Sequence, residues 1–135
     1  MSAEKDLTDI AERLQFFDGF DVKVFDLLVE DTNASATLRI LARFCMSLNE
    51  SLPHLQQGAQ DGNPEIIGKA AHKLAGSAEM LGFKTFGDHS KSLSSRLKHA
   101  TLQDVPATEV HSYIQEVHTV CDRIKSDFPQ WQTYL

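Results

Sequence analysis

Of the side chains that could do chemistry, His72 has the most unusual neighbours. It lies in the stretch AAHKLAGSAEMLGF, residues 70–83, with Gly68 one helical turn before it and Gly76 one turn after it. A glycine in a helix interior costs roughly 1 kcal/mol relative to alanine, and this stretch carries that cost on both sides of one titratable ring. Residues at i±4 stand directly above and below a given helical side chain, so the two glycines strip the walls from around the imidazole. Ala75 and Ser77 are also small, and Lys69 and Lys73 bring ammonium groups close. A free imidazole titrates near 6.5, is largely neutral at cell pH, and is a good nucleophile in that form. An open imidazole with cations beside it is suited to accepting a phosphoryl group from a partner that brings its own reactive group up to the ring.

The helix that must hold this ring is legible. Asn63-Pro64-Glu65 is a start signal: a capping side chain, a proline at the first helical position and an acid in the first turn. Ile67, Ala70, Ala71, Leu74, Ala78 and Leu81 then form one face, and Gly82 is the expected left-handed stop. At about 100° per residue, His72 points about 150° away from the mean direction of that apolar face. It therefore faces outward, with Gly68, Lys69, Gly76 and Glu79 around it.

The other elements are helical too. Residues 1–6 are expected to fray, followed by a helix from Leu7 to Phe17 and, after a cap at Asp21, a short helix carrying Val24, Phe25, Leu27 and Leu28. Leu38, Leu41, Cys45, Leu48, Leu52, Leu55 and Ala59 repeat at alternating steps of three and four, the pattern of a seam against other helices. Pro53 should bend this long helix without ending it, and Gly58 with Asp61-Gly62 should close it. Thr85-x-x-Asp88 resembles a capping box for the next helix, whose thin stripe is Phe86, Ser90, Leu93, Leu97 and Ala100. Residues 101–106 read as a loop. The last stripe runs Val110, Tyr113, Ile114, Val117, Val120, Cys121, Ile124 and Phe128, and Pro129 ends it. Four stripes joined by short loops predict an all-α fold, an antiparallel four-helix bundle preceded by one or two short helices.

Composition narrows the function classes. The 135 residues fit one domain of ordinary soluble composition, with 41% hydrophobic residues and a formal net charge of −6. The charge balance and the lack of a basic stripe argue against nucleic-acid binding. No apolar run is long enough to cross a membrane, and the acidic, amphipathic start is unlike a signal peptide, so a cytoplasmic location is expected. Cys45 and Cys121 fall on apolar stripes and read as buried, reduced thiols.

The segment His72-Lys73-Leu74-Ala75-Gly76-Ser77-Ala78, followed by Leu81-Gly82, resembles the signature of histidine-containing phosphotransfer (HPt) domains of two-component phosphorelays. The likeness covers about residues 18–125. It implies an N-terminal helical extension over 1–17, an HPt four-helix bundle over 18–128 and a C-terminal tail over 129–135. It also implies a phosphorelay intermediary. His72 would take a phosphoryl group from a phospho-aspartyl receiver domain and pass it to another, with Lys69 and Lys73 as electrostatic support and Gly76 and Gly68 giving clearance. The implied partners are response-regulator receiver domains and a hybrid sensor histidine kinase. The carrier would bind no cofactor of its own, Mg²⁺ being held by the partner receiver, and a monomer is expected. Phe83 and the exposed parts of the second helix are candidate docking surface. One position departs from the pattern: Ala75 stands where the family commonly has a lysine. No conventional kinase nucleotide-binding motif is present, so the chain reads as a phosphocarrier without kinase activity of its own.

Two other classes compete. Six histidines raise the possibility of a metal-binding bundle, but inward-facing Glu-x-x-His pairs are missing. A helical adaptor, in effect a degenerate HPt domain that only binds signalling partners, is the main alternative, and the substitution at Ala75 is what favours it. His89 reads as a partly buried packing residue, and Trp131 and Tyr134 as a tail that packs back on the bundle.

Overall fold

Six α-helices and a closing 3-10 turn make up the computed structural model, which describes residues 2–99 and 105–135. In chain order the helices are α1 (Ala3–Leu14), α2 (Val22–Asp31), α3 (Ala34–Asp61), α4 (Pro64–Leu81), α5 (Lys84–His99) and α6 (Ala107–Asp127), with the turn at Trp131–Tyr134. No strand occurs among the described residues; Phe20 and Phe83 make one isolated bridge. Ala100 and the loop residues 101–104 of the sequence reading lie outside the described residues.

The long helices α3, α4, α5 and α6 pack as a bundle, α3 against both α4 and α6, and α4 against α5. Two-residue connections after Asp61 and after Leu81 force α3, α4 and α5 to alternate in direction. The core is nearly all aliphatic and aromatic: Leu38, Leu41, Leu48 and Leu55 of α3 meet Ile67, Leu74 and Leu81 of α4 and Val117, Val120 and Ile124 of α6, each 0–1% exposed. The three-four alternation in the sequence is this seam. α3 runs through Pro53 as one helix. Gly58 does not help end it. It is buried within α3, where a Cβ would come within 3.0 Å of Ile67 and 3.2 Å of Ile66, so it lets α3 and α4 approach closely.

α1 and α2 are parts of the same core and not loose additions. Ile10, Leu14 and Phe25 are fully buried against the bundle. Met1 lies outside the described residues, but Ala3 to Asp6 are helical and not frayed: Ser2 caps α1 by accepting a hydrogen bond from the Lys5 N–H, and Glu4 and Asp6 complement the positive end of the helix. A polar latch ties α1 to the end of α6. Arg13 donates to the Asp127 carbonyl at 2.9 Å, Arg123 donates to Asp127 Oδ2 at 2.6 Å and to the Arg13 carbonyl at 2.8 Å, and the Arg123 guanidinium lies over the Phe17 ring. The tail packs back as expected, with Tyr134 donating to Asp6 Oδ2 at 2.7 Å.

The seam between α5 and α6 is the polar one. Ser90, fully buried on the thin stripe, shares a 2.7 Å hydrogen bond with the Tyr113 hydroxyl, so a hydroxyl in the core leaves no orphaned group. At the surface, Arg96 binds Glu109 through both guanidinium nitrogens and holds that carboxyl below its usual range. His89 belongs to this surface and is not the partly buried packing residue expected. Its ring is exposed, and its Nδ1 faces Glu116 at 2.8 and 2.9 Å, donating because a carboxylate only accepts.

Candidate functional site

Rigid ends hold α4 in place. The Asn63 side chain accepts from the N–H groups of Glu65 and Ile66, and Gly82 ends the helix at φ +103° with its N–H returned to the Ala78 carbonyl. Between these caps the apolar face buries Ile67, Ala71, Leu74, Ala75, Ala78 and Leu81, while Ala70 is only half-buried. Ala75, outside the stripe read from the sequence, joins this buried face. The opposite face presents His72, Lys69, Lys73 and Gly76 to solvent, as the helical arithmetic predicted.

The two glycines beside His72 act differently. A Cβ at Gly76 would meet nothing within 4 Å, so packing gives no reason for glycine there, and the space beside the ring stays open. Gly68 is half-buried, and a Cβ on it would touch the Leu97 Cβ at 3.5 Å, an ordinary contact. The sequence reading put Gly68 on a face away from neighbouring helices. In the structure it lies at the floor of a groove between α4 and α5.

That groove, about 460 Å³, is where the ring stands. α4 contributes Glu65, Gly68, Lys69 and His72 to its walls; α5 contributes Ser94, Leu97 and Lys98. Lys98 and Ser94 are absent from the sequence-based candidates. The hairpin register contains the signal: the Gly82 stop sets α5 antiparallel to α4, and the Gly68–Leu97 contact fixes which turns face each other. Lys98 thus brings an ammonium to the groove from the neighbouring helix.

The charges are not equivalent. Lys69 Nζ lies 3.0 Å from Glu65 Oε1, one turn back on the same helix, with both side chains largely exposed. Its charge is partly offset, although an exposed pair of this kind is worth only about 0.3–0.5 kcal/mol and exchanges readily. Among the described residues no ion pair involves Lys73 or Lys98.

The expected docking residue Phe83 is not available. It is fully buried, with Phe17, Phe20 and Phe44 around it at ring separations of 6.2, 5.0 and 5.4 Å. The large apolar side chains exposed among the described residues are instead Phe16, Leu27, Met46, Met80 and Leu135, with Phe16 at 79%, Leu27 at 56% and Met80 at 45%. Leu27 lies on α2, which packs against α4, and Met80 lies two turns beyond His72 along α4. Among the described residues no group of three His, Cys, Asp or Glu could hold a metal ion, and no helix is long and apolar enough to cross a membrane. Cys45 and Cys121 are buried free thiols, as expected; the Cys45 thiol is pushed up by its contact with Cys121 and by burial.

The model of the Hpt domain matches residues 39–127, from α3 to the end of α6, and the chain belongs to the Hpt domain family. Hpt domains are phosphocarriers of phosphorelays that interact with two-component receiver domains, which gives this chain a phosphotransfer role. No curated protein and no solved structure matches the chain.

Proposed function

We propose that His72 is the phosphoacceptor, and that the protein takes a phosphoryl group from a phospho-aspartyl receiver domain and passes it to a second receiver. The observation that carries this reading is the exposed His72 ring in a groove edged by Lys69 and Lys98, with open space at Gly76. Neutral His72 attacks phosphorus through its Nε2 atom as the aspartyl oxygen leaves. Phosphoryl transfer depends chiefly on alignment and on neutralising charge on the transferring oxygens. The carrier supplies a positioned ring and two ammonium groups; the receiver supplies the carboxylate, the Mg²⁺ and the remaining catalytic groups. Lys98 stands in for the lysine whose place Ala75 takes, because Ala75 is buried against the bundle while Lys98 reaches the same groove from α5. The receiver docks across exposed Leu27 and Met80, and the chain has no kinase activity of its own.

The direct test is transfer of acid-labile label from a phosphorylated receiver. Wild type takes the label and His72→Gln does not; full labelling of the variant rejects the assignment. The second reading, a partner-binding adaptor without transfer, draws its support from Ala75. Receiver binding with no label on wild-type protein would establish it.

A further inference from the structure

We infer that the groove beside His72 is a docking socket for one apolar side chain of the receiver domain, a side chain flanked on that receiver by carboxylates. The inference rests on His72 being the phosphoacceptor. His72 lines the groove, so a receiver that meets the ring from the α5 side also covers the groove. Its inner surface is mostly carbon: Pro64 and Leu97, the bare backbone at Gly68 and the stems of Lys69 and Lys98. Covering such a surface with an empty space beneath leaves its apolar area without contacts, whereas filling it with an apolar group removes that area from water and packs it. At about 460 Å³ the groove has volume enough for a leucine or an aromatic side chain.

The rim specifies what surrounds that side chain. Lys69 on α4 and Lys98 on α5 stand on opposite edges, with Glu65 beside Lys69 only. A receiver's phosphorylation pocket must be acidic, because it holds a divalent cation through carboxylates. Ammonium groups on both edges of an apolar slot therefore fit an apolar side chain at the border of that acidic pocket. Two short residues keep the slot open, Gly68 on its floor and Ser94 on its α5 wall.

The experiment compares two phosphodonors on wild type and on Ser94→Trp, Ser94→Leu and Ser94→Ala. One donor is a phosphorylated receiver. The other is phosphoramidate, which needs no docking: Nε2 of His72 forms a bond to phosphorus as the donor's P–N bond breaks and ammonia leaves. Filling the slot with Trp or Leu should lower kcat/KM for the receiver roughly tenfold or more, mainly through KM, relative to the rate of labelling by phosphoramidate. Ser94→Ala, which adds no bulk to the slot, should impair receiver-dependent transfer less than either Leu or Trp. Circular dichroism establishes that each variant keeps its helices, and Leu serves if Trp disturbs them. Unchanged receiver kinetics in Trp and Leu variants overturns the inference. So does an equal fall with both donors, which marks a blocked ring and not a lost docking contact. If neither donor labels wild-type His72 the phosphoacceptor reading itself fails, a result recognisable before any variant is made.

Discussion

Gly82 and Asp21 are locked together through their backbones. The Asp21 N–H donates to the Gly82 carbonyl at 2.7 Å, and a Cβ on Gly82 would stand 2.5 Å from the Asp21 carbonyl oxygen. The residue that ends α4 therefore also seats the start of α2, and Gly82 is required twice: by its φ of +103° and by this close approach.

Gly82→Ala should accordingly destabilise the fold by about 1–3 kcal/mol, the range for a strained left-handed position. Thermal unfolding followed by circular dichroism measures it. A variant as stable as wild type would show that the α2–α4 junction relaxes at no cost.

Gly76 should behave in the opposite way. With nothing within 4 Å of a new Cβ, Gly76→Ala should raise stability by up to about 1 kcal/mol through helix propensity. Gly76→Gln should keep that helix yet slow receiver-dependent transfer about tenfold or more, because its side chain rises over the ring. Transfer at the wild-type rate in Gly76→Gln would sink the clearance argument.

Removing the ammonium contributed by α5 should weaken charge neutralisation at the transferring group. Charge-assisted contacts are worth about 1.5–3 kcal/mol, so Lys98→Ala should lower transfer about tenfold, and Lys98→Arg should restore most of it. The defect should shrink as salt is raised, since screening weakens exposed charges. Stopped-flow transfer at several ionic strengths reads both effects.

Alkaline pH should loosen the core at a defined place. Burial pushes the Tyr113 phenol well above the usual tyrosine range, against the smaller opposing effect of its bond with Ser90. Burial and then Asp6 push Tyr134 up to about 12. An unfolded tyrosine loses its proton near 10, so the folded state holds these protons more tightly. Their contribution is complete below about pH 10 and is lost as pH rises from there through about 12. Urea midpoints between pH 8 and 11.5 should fall on the alkaline side, and less steeply in Tyr113→Phe. At neutral pH that variant should cost about 1–3 kcal/mol by leaving the Ser90 hydroxyl buried without its partner.

How much of this was legible in the sequence depended on whether a feature is local. The stripes, the caps at Asp21 and Asn63, the Gly82 stop and the outward direction of His72 follow from period and spacing along one helix, and the structure reproduces them. The misreadings involve partners distant in the chain. Thr85 suggested a capping box, but α5 begins at Lys84, and the Thr85 N–H is satisfied by the Gly19 carbonyl, from the segment between α1 and α2. Phe83 follows the helix stop with no periodic neighbour, so its burial under rings from two other segments, the α1–α2 connection and α3, left no local trace. Lys98 sits a full hairpin away from His72, and only the register of α5 on α4 brings them to one groove. At the other end, α1 starts at Ala3 because Ser2 caps it, a local signal outweighed by the lack of a bulky apolar residue before Leu7.

The bond from Tyr134 to Asp6 brings the closing 3-10 turn beside α1. A short peptide could join Tyr134 to Ala3, and the chain could be opened at the exposed Phe16 turn without cutting any helix of the bundle. Such a circular permutant should retain the groove and its ring intact, since neither is formed by residues near Asp6 or Tyr134.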